Sequence, residues 1–304
     1  MTEEKIIERI KQLKKERNAV ILAHNYQLPE VQDIADYTGD SLELSRIAAK
    51  VDADVILFCG VDFMAETAKI LAPDKTVLVP DLGAICPMAK MIEPEDLEKL
   101  RGEHPGVPVM CYVNSSAAIK AMSDIACTSA NSIGLAKLID SDEVIFVPDK
   151  SLGGYTGAQT GKRFILYDGF CPTHHRILAE DVRKTKAAHP DAVVLAHPEC
   201  TEDVRALSDY IESTSGILRR ARELPDKEFI ICTEQGLMHR LCKENPDKTF
   251  YTPSDLNICP NMKKNNLLKI MESLEKMQYE IEVDEETRVK ALGAIEKMVA
   301  TLGK

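Results

Sequence analysis

Ala19-Val-Ile-Leu-Ala-His24 is a short, continuous apolar run that ends on a histidine. Runs of this kind are buried on both faces in parallel sheets. Moving 88 positions along the chain reaches Val107-Pro-Val-Met-Cys-Tyr112, and a further 85 reaches Ala192-Val-Val-Leu-Ala-His197. The same two offsets carry Val55-Ile-Leu-Phe onto Glu143-Val-Ile-Phe146, to within one residue, and then onto Phe229-Ile-Ile-Cys. They also carry Val77-Leu-Val onto Ile165-Leu-Tyr and Phe250-Tyr-Thr. Each unit therefore reads strand, helix, strand, helix, strand. Repetition at a fixed period marks an architecture of repeated units.

Each third strand runs through a polar turn into a cysteine and a proline: Cys86-Pro87, Cys171-Pro172 and Cys259-Pro260. Strands alternating with helices argue for parallel sheets covered on both faces. The expected fold is α/β, with three αβα sandwich domains around a pseudo-threefold axis and a central site. The expected boundaries are 1–86, 87–171 and 172–263. Residues 264–304 are read as helices outside the repeat that fold back on the first unit. A unit of this size buries only about 60–65% of its unfolded surface, so the three should pack together.

Composition narrows the function. A content of 44% hydrophobic and 29% charged residues is ordinary for a soluble globular chain. The net charge of −11 argues against nucleic acid or an anionic membrane as partner, though not against a local pocket for a small anion. The charged N-terminus is unlike a signal peptide and no apolar run reaches spanning length, so a cytoplasmic protein is expected. Nine cysteines in a reducing compartment do not form a disulfide framework.

The offsets also align polar residues. His24, Tyr112 and His197 end the first strand of each unit, and Tyr26, Asn114 and Glu199 follow two residues later. Residues two apart in extended chain point the same way. Each unit thus aims a polar pair beyond the carboxyl end of a parallel strand, where α/β folds bind ligands. Ser41, Ser129 and Thr214 form the next set and are each read as opening a helix. Hydroxyls and free amides at helix N-termini attract phosphate and carboxylate groups.

Cys59, Cys111 and Cys232 lie inside apolar strand runs and read as buried structural thiols. Cys127, Cys200 and Cys242 have no equivalents and are taken as incidental. Cys86, Cys171 and Cys259 lie past strand ends, where converging thiolates suit a soft metal or an iron–sulfur cluster. A structural zinc would want a fourth ligand. A [4Fe–4S] cluster on three cysteines leaves one iron open as a Lewis acid. An iron–sulfur enzyme, a redox iron–sulfur protein and a zinc-bound structural protein all remain open on this ground.

Thr2 is placed to cap a first helix with the stripe Ile6, Ile7, Ile10 and Leu13. Leu267, Leu268, Met271 and Leu274 form a stripe near the C-terminus. Val289, Leu292, Ile295 and Val299 form another, capped by Asp284. Gly153-Gly-Tyr-Thr-Gly157 is not a phosphate-binding P-loop and is read as a flexible loop or lid.

Several long motifs resemble those of the quinolinate synthase family over about Asn18 to Met262. They are Ala23-His-Asn-Tyr-Gln-Leu-Pro-Glu-Val-Gln-Asp, Gly39-Asp-Ser-Leu-Glu-Leu, Tyr112-Val-Asn-Ser, Cys127-Thr-Ser-Ala-Asn, His197-Pro-Glu-Cys and Cys259-Pro-Asn-Met. The resemblance implies a transferase of de novo NAD synthesis, condensing iminoaspartate with dihydroxyacetone phosphate to quinolinate, phosphate and water. It implies three αβα domains and one [4Fe–4S] cluster on Cys86, Cys171 and Cys259. By the same token His24, Ser41, Ser129, His197 and Thr214 grip carboxylate or phosphate groups. Tyr26, Tyr112, Asn114 and Glu199 handle protons and orient the intermediate, and the enzyme that produces iminoaspartate is an expected partner. Another hydro-lyase with an open-iron cluster is the nearest rival. Some members carry an extra cysteine pair near the last ligand; this chain departs from them at Cys259-Pro-Asn-Met262. His174 and His175 stand beside Cys171 as candidates for a supporting role.

Overall fold

The computed structural model describes residues 2–301. Its framework is three four-stranded parallel sheets. The first holds β1 (Ala19–His24), β2 (Tyr37–Gly39), β3 (Val55–Cys59) and β4 (Thr76–Leu78), in the order β2-β1-β3-β4. The second holds β5 (Val109–Tyr112), β6 (Ile125–Cys127), β7 (Glu143–Val147) and β8 (Arg163–Leu166), in the order β6-β5-β7-β8. The third holds β9 (Val193–Ala196), β10 (Tyr210–Ile211), β11 (Glu228–Cys232) and β12 (Thr249–Tyr251), in the order β10-β9-β11-β12. Every ladder between neighbours is parallel. The three αβα units expected from the repeat are present.

Helices alternate with these strands. The first unit carries α1 (Glu3–Glu16), α2 (Pro29–Ile34), α3 (Ser41–Ala48) and α4 (Asp62–Leu71). The second carries α5 (Pro94–Glu103), α6 (Ala117–Ala121), α7 (Ser132–Leu138) and α8 (Lys150–Thr160). The third carries α9 (Ala179–Ala188), α10 (Glu202–Arg205), α11 (Thr214–Glu223) and α12 (Leu237–Glu244). Last come α13 (Leu267–Lys276) and α14 (Glu285–Ala300).

The unit is richer than the sequence pattern suggests. β2, β6 and β10 add a fourth strand to each sheet, and α2, α6 and α10 lead into them. These strands span only two or three residues, too few to display a period, and each pairs solely with the first strand of its unit.

Central strands are buried because both faces are covered. Every residue of β3 is buried, and Ile21 and Leu57 pack with Ile10 and Leu13 of α1 and with Ile270 and Leu274 of α13. Each such side chain contributes roughly 1.5–3 kcal/mol by leaving water. α1 has Glu3 and Glu4 in its first turn and Lys14 and Lys15 in its last, charges that oppose the helix dipole. Thr2 occupies its N-cap but makes no side-chain cap bond. Asp284 does cap α14, accepting the Thr287 N–H at 2.9 Å.

Two expectations change. Of the C-terminal helices, α13 does fold back on α1, but α14 lies chiefly across α6 and β6 of the second unit, with lesser contacts to α3 and α4. It ties the two units together. The glycine-rich run Gly153–Gly157 is not a loop or lid but the middle of α8, capped by the Asp149 carboxylate on the Ser151 and Leu152 N–H groups. Its glycines serve close packing. A Cβ on Gly153 would fall 2.6 Å from both Leu166 Cδ2 and Phe146 Cδ1, and one on Gly157 would fall 3.2 Å from the Phe164 ring. Among the described residues no helix is long and apolar enough to cross a membrane.

Candidate functional site

Strand order sets the position of the site. In each sheet the chain runs from the first strand outward in both directions, so a crevice opens at the carboxyl ends of the first and third strands. The carboxyl ends of all three sheets face a single cavity, whose atom-free space, counted out through its open mouth, is about 660 Å³. β1 delivers His24 and Tyr26, β5 delivers Tyr112 and Asn114, and the segment after β9 delivers His197 and Glu199. Ser41, Ser129 and Thr214 follow the short strands β2, β6 and β10, and Cys86, Cys171 and Cys259 follow β4, β8 and β12. Every residue singled out for chemistry from the offsets therefore lines this cavity.

The hydroxyl set needs one correction. Ser41 and Thr214 are the first residues of α3 and α11, but Ser129 lies in the turn three residues before α7 begins. None of the three is the cap. Capping falls to Asp40, whose Oδ1 accepts the Leu42 and Glu43 N–H groups, and to Ser213, which accepts the Gly216 N–H at 3.2 Å. Because neighbours satisfy the helix ends, the cavity-lining hydroxyls remain available to a ligand.

The two cavity histidines are held alike. His24 Nδ1 accepts the Tyr26 N–H at 3.1 Å, and His197 Nδ1 accepts the Glu199 N–H at 3.3 Å. A ring nitrogen that accepts carries no proton, so Nε2 of each neutral ring is the donor. Burial agrees, pushing both rings down to about 3. His197 Nε2 then donates to Ser129 Oγ at 3.1 Å.

Glu199 is the most heavily engaged side chain. His174 Nδ1 lies 2.6 Å from its Oε2, and Asn114 Nδ2 donates to Oε1 at 3.3 Å. The Tyr112 hydroxyl donates to it as well. Burial alone would raise this carboxyl, but the charge and hydrogen bond of His174, with His197 and Tyr112, carry it down to about 2. It is an ionised carboxylate. Burial, reinforced by the Glu199 charge, drives the Tyr26 and Tyr112 phenols well above their usual range, so both keep their protons.

A hydrogen-bonded chain leads away from Glu199. A carboxylate only accepts, so His174 Nδ1 carries the proton between them, and its Nε2 lies 2.9 Å from Thr233 Oγ1. Thr233 Oγ1 in turn shares a hydrogen bond of 2.6 Å with the Tyr26 hydroxyl, in which either oxygen can donate. The order is Tyr26, Thr233, His174, Glu199. Thr233 follows β11, and its equivalents by the same offsets are Pro148 and Gly60, so the repeat carries no polar signal for it. Asp40, Thr128, Thr173 and Glu234 also line the cavity. Asp40 is raised to about 6 by burial and then by Glu43. His175 turns away from His174: its Nε2 meets Ser151 Oγ at 2.9 Å and its ring stacks on Phe170.

The cysteines share a local geometry. Each sulfur accepts a backbone N–H three residues on, from Ala89, His174 and Met262, within the 3₁₀ turns Met88–Lys90, His174–Arg176 and Met262–Lys264. Carboxylates hold two of the cysteine amides: Asp62 Oδ1 accepts from Cys86 N at 3.0 Å, and Glu234 Oε1 accepts from Cys259 N at 2.9 Å. Burial raises all three thiols, and each is raised further by nearby anionic groups. Three partly buried thiolates lining one cavity are tenable only around a cation, and sulfurs that already accept N–H bonds are typical of metal-bound ones. The donor set fits a soft metal centre. Cys171, His174 and Glu199 also come close enough to hold an ion between them. The 2.6 Å His174–Glu199 contact, however, is a hydrogen bond that a shared ion would have to break.

The remaining cysteines sort by burial. Cys59, Cys111, Cys127, Cys200 and Cys232 are buried and Cys242 is exposed.

A family model described as "Quinolinate synthetase A protein" matches residues 8–300, a longer span than the motifs alone cover. Quinolinate synthase 1 of Methanosarcina acetivorans is 54% identical over 300 residues, covering 99% of each chain. Quinolinate synthase of Geotalea uraniireducens is 53% identical over 300 residues, again covering 99% of each. That of Dehalococcoides mccartyi is 52% identical over 299 residues, covering 98% of this chain and 99% of the relative.

Proposed function

Because this chain belongs to the quinolinate synthetase A family, we propose that it condenses iminoaspartate with dihydroxyacetone phosphate to give quinolinate, phosphate and water for NAD synthesis. The observation that carries this reading is the convergence of three thiols, an ionised Glu199 and a ring of neutral donors on one cavity.

Both substrates are anions, and the cavity offers them hydrogen-bond donors in place of cations. His24 Nε2, Ser41 and Thr214 at the starts of α3 and α11, and Ser129 beside His197 are placed to hold carboxylate and phosphate oxygens. This explains how a chain of net charge −11 accepts such ligands. Asn114 Oδ1 is buried without a protein partner. A free carbonyl oxygen there suits an N–H or O–H of the substrate, since an unpaired buried acceptor costs about 1–3 kcal/mol.

The reaction is redox-neutral: a C–C and a C–N bond form while phosphate and two waters leave. Each elimination needs a proton removed from carbon and another delivered to the departing oxygen. Glu199, backed by His174, is the acceptor of choice, and Tyr112 and Tyr26 are protonated donors. The Tyr26–Thr233–His174–Glu199 chain returns a proton from one side of the cavity to the other. Cys86, Cys171 and Cys259 would hold a [4Fe–4S] cluster, which when bound supplies an iron with an open position for Lewis-acid chemistry.

An imine is hydrolysed by water, so the enzyme that produces iminoaspartate is the natural supplier, and burial of the site protects the bound imine. The test is quinolinate formation by anaerobically purified protein given dihydroxyacetone phosphate and freshly generated iminoaspartate. Quinolinate and phosphate in equal amounts are expected. Turnover of neither substrate would overturn the proposal.

A further inference from the structure

Asn25 stands between two cavity residues in sequence, His24 and Tyr26, yet it does not line the cavity and is fully buried. Its amide bridges the first and third units. Arg240 of α12 donates from Nη1 to Asn25 Oδ1 at 2.9 Å, and Asn25 Nδ2 donates to Thr214 Oγ1 at 3.1 Å. A guanidinium can only donate, so the amide oxygen must face Arg240 and the amide NH₂ must face Thr214. The Thr214 oxygen therefore receives a hydrogen bond from behind, and its own proton is left to point into the cavity that it lines.

We infer that Asn25 and Arg240 are positioning residues that fix Thr214 as a hydrogen-bond donor toward an anionic oxygen of a substrate. The second unit reaches the same polarity by another route. His197 Nε2 donates to Ser129 Oγ, which likewise leaves the serine proton for the ligand. Two hydroxyls from different units are thus both turned into donors, as a cavity for carboxylate and phosphate oxygens requires. Arg240 also donates to the Thr38 carbonyl at 3.1 Å, which anchors it against β2 of the first unit.

This inference rests on the reading that Thr214 binds substrate, and a double-mutant cycle on the holoenzyme separates the two. Thr214→Val removes the hydroxyl and keeps the shape. Asn25→Asp replaces the amide NH₂ by an acceptor, which draws the Thr214 proton backward and turns lone pairs toward the ligand. Each single variant is expected to raise KM for one of the two substrates by about tenfold or more, with kcat changed far less. In the Thr214→Val background, Asn25→Asp should add little, because no hydroxyl remains to be turned. Fully additive effects would overturn the role of Asn25 while leaving Thr214 as a binding group. An unchanged KM in Thr214→Val would overturn both readings. Arg240→Gln, whose amide can present either face to Asn25, keeps the test alive should Asn25→Asp fail to fold. It is expected to raise the same KM by a smaller factor, and no change in KM would count against the inference.

Discussion

His174 Nδ1 lies 2.6 Å from Glu199 Oε2, and the same ring meets Thr233 Oγ1 at 2.9 Å through Nε2. One imidazole thus couples the carboxylate at the centre of the cavity to a hydroxyl pair, Thr233 and Tyr26, contributed by two different units. Cys171 provides the link to the thiols, since its Sγ is 3.2 Å from His174 Nδ1. Glu199 is therefore joined by hydrogen bonds, through His174 and Thr233, to Tyr26, which lines the same cavity.

Replacing Glu199 by Gln keeps shape and one acceptor but removes the carboxylate proposed as the base. Turnover should fall by about 10²–10⁴-fold, the usual contribution of a positioned acid–base group. Steady-state quinolinate formation checks this, and a variant that turns over like the wild type would remove Glu199 from the role.

Thr233→Val removes the bridging hydroxyl between Tyr26 and His174 without adding volume, leaving only their long direct contact of 3.4 Å. The expected result is a kcat lowered by about tenfold or more with KM nearly unchanged, because Thr233 lies behind the ligand-facing groups. A raised KM with full kcat would instead assign it to binding.

Acid should destabilise the fold earlier than carboxylate chemistry alone would. Buried His24 and His197 stay neutral down to about 3, whereas the unfolded chain takes up protons below about 6.5. The unfolded state binds more protons through that window, so stability falls as pH drops, by about 1.4 kcal/mol per pH unit for each histidine. Glu199, lowered to about 2, adds its own loss only below about 4.5. Denaturant midpoints between pH 7.5 and 5 check the slope. His24→Asn should flatten it by about one proton, and an identical slope in wild type and variant would contradict the assignment.

Gly153→Ala and Gly154→Ala should have opposite signs. Alanine gains about 1 kcal/mol of helix propensity at either site. At Gly153 the new methyl would lie 2.6 Å from Phe146 and Leu166, and overpacking costs about 1–3 kcal/mol. At Gly154 the nearest atom is 3.7 Å away. Thermal melts should therefore show Gly153→Ala below the wild type and Gly154→Ala at or above it.

Much of this architecture was legible because the repeat carries side-chain chemistry and strand pattern together. His24, Tyr112 and His197 share a register with apolar runs that must be strands, so their place at the carboxyl ends followed from the sequence. What stayed hidden has physical reasons. β2, β6 and β10 are too short to show a period. Ser129 was misplaced because Asn131 occupies the N-cap position of α7, two residues later. α8 looked like a loop because glycine lowers helix propensity, and its close approach to Phe146 and Phe164 of the sheet is a tertiary fact. His174 resembled His175 in sequence, and only the fold sends one inward to Glu199 and the other to Phe170.

The most direct test of the three-thiol centre is iron and sulfide per chain after strictly anaerobic purification, for the wild type and for Cys86→Ser, Cys171→Ser and Cys259→Ser. The account predicts about four irons and four sulfides in the wild type, and loss of most of both in each variant. A wild type without iron, or a cysteine variant with its full complement, would contradict it.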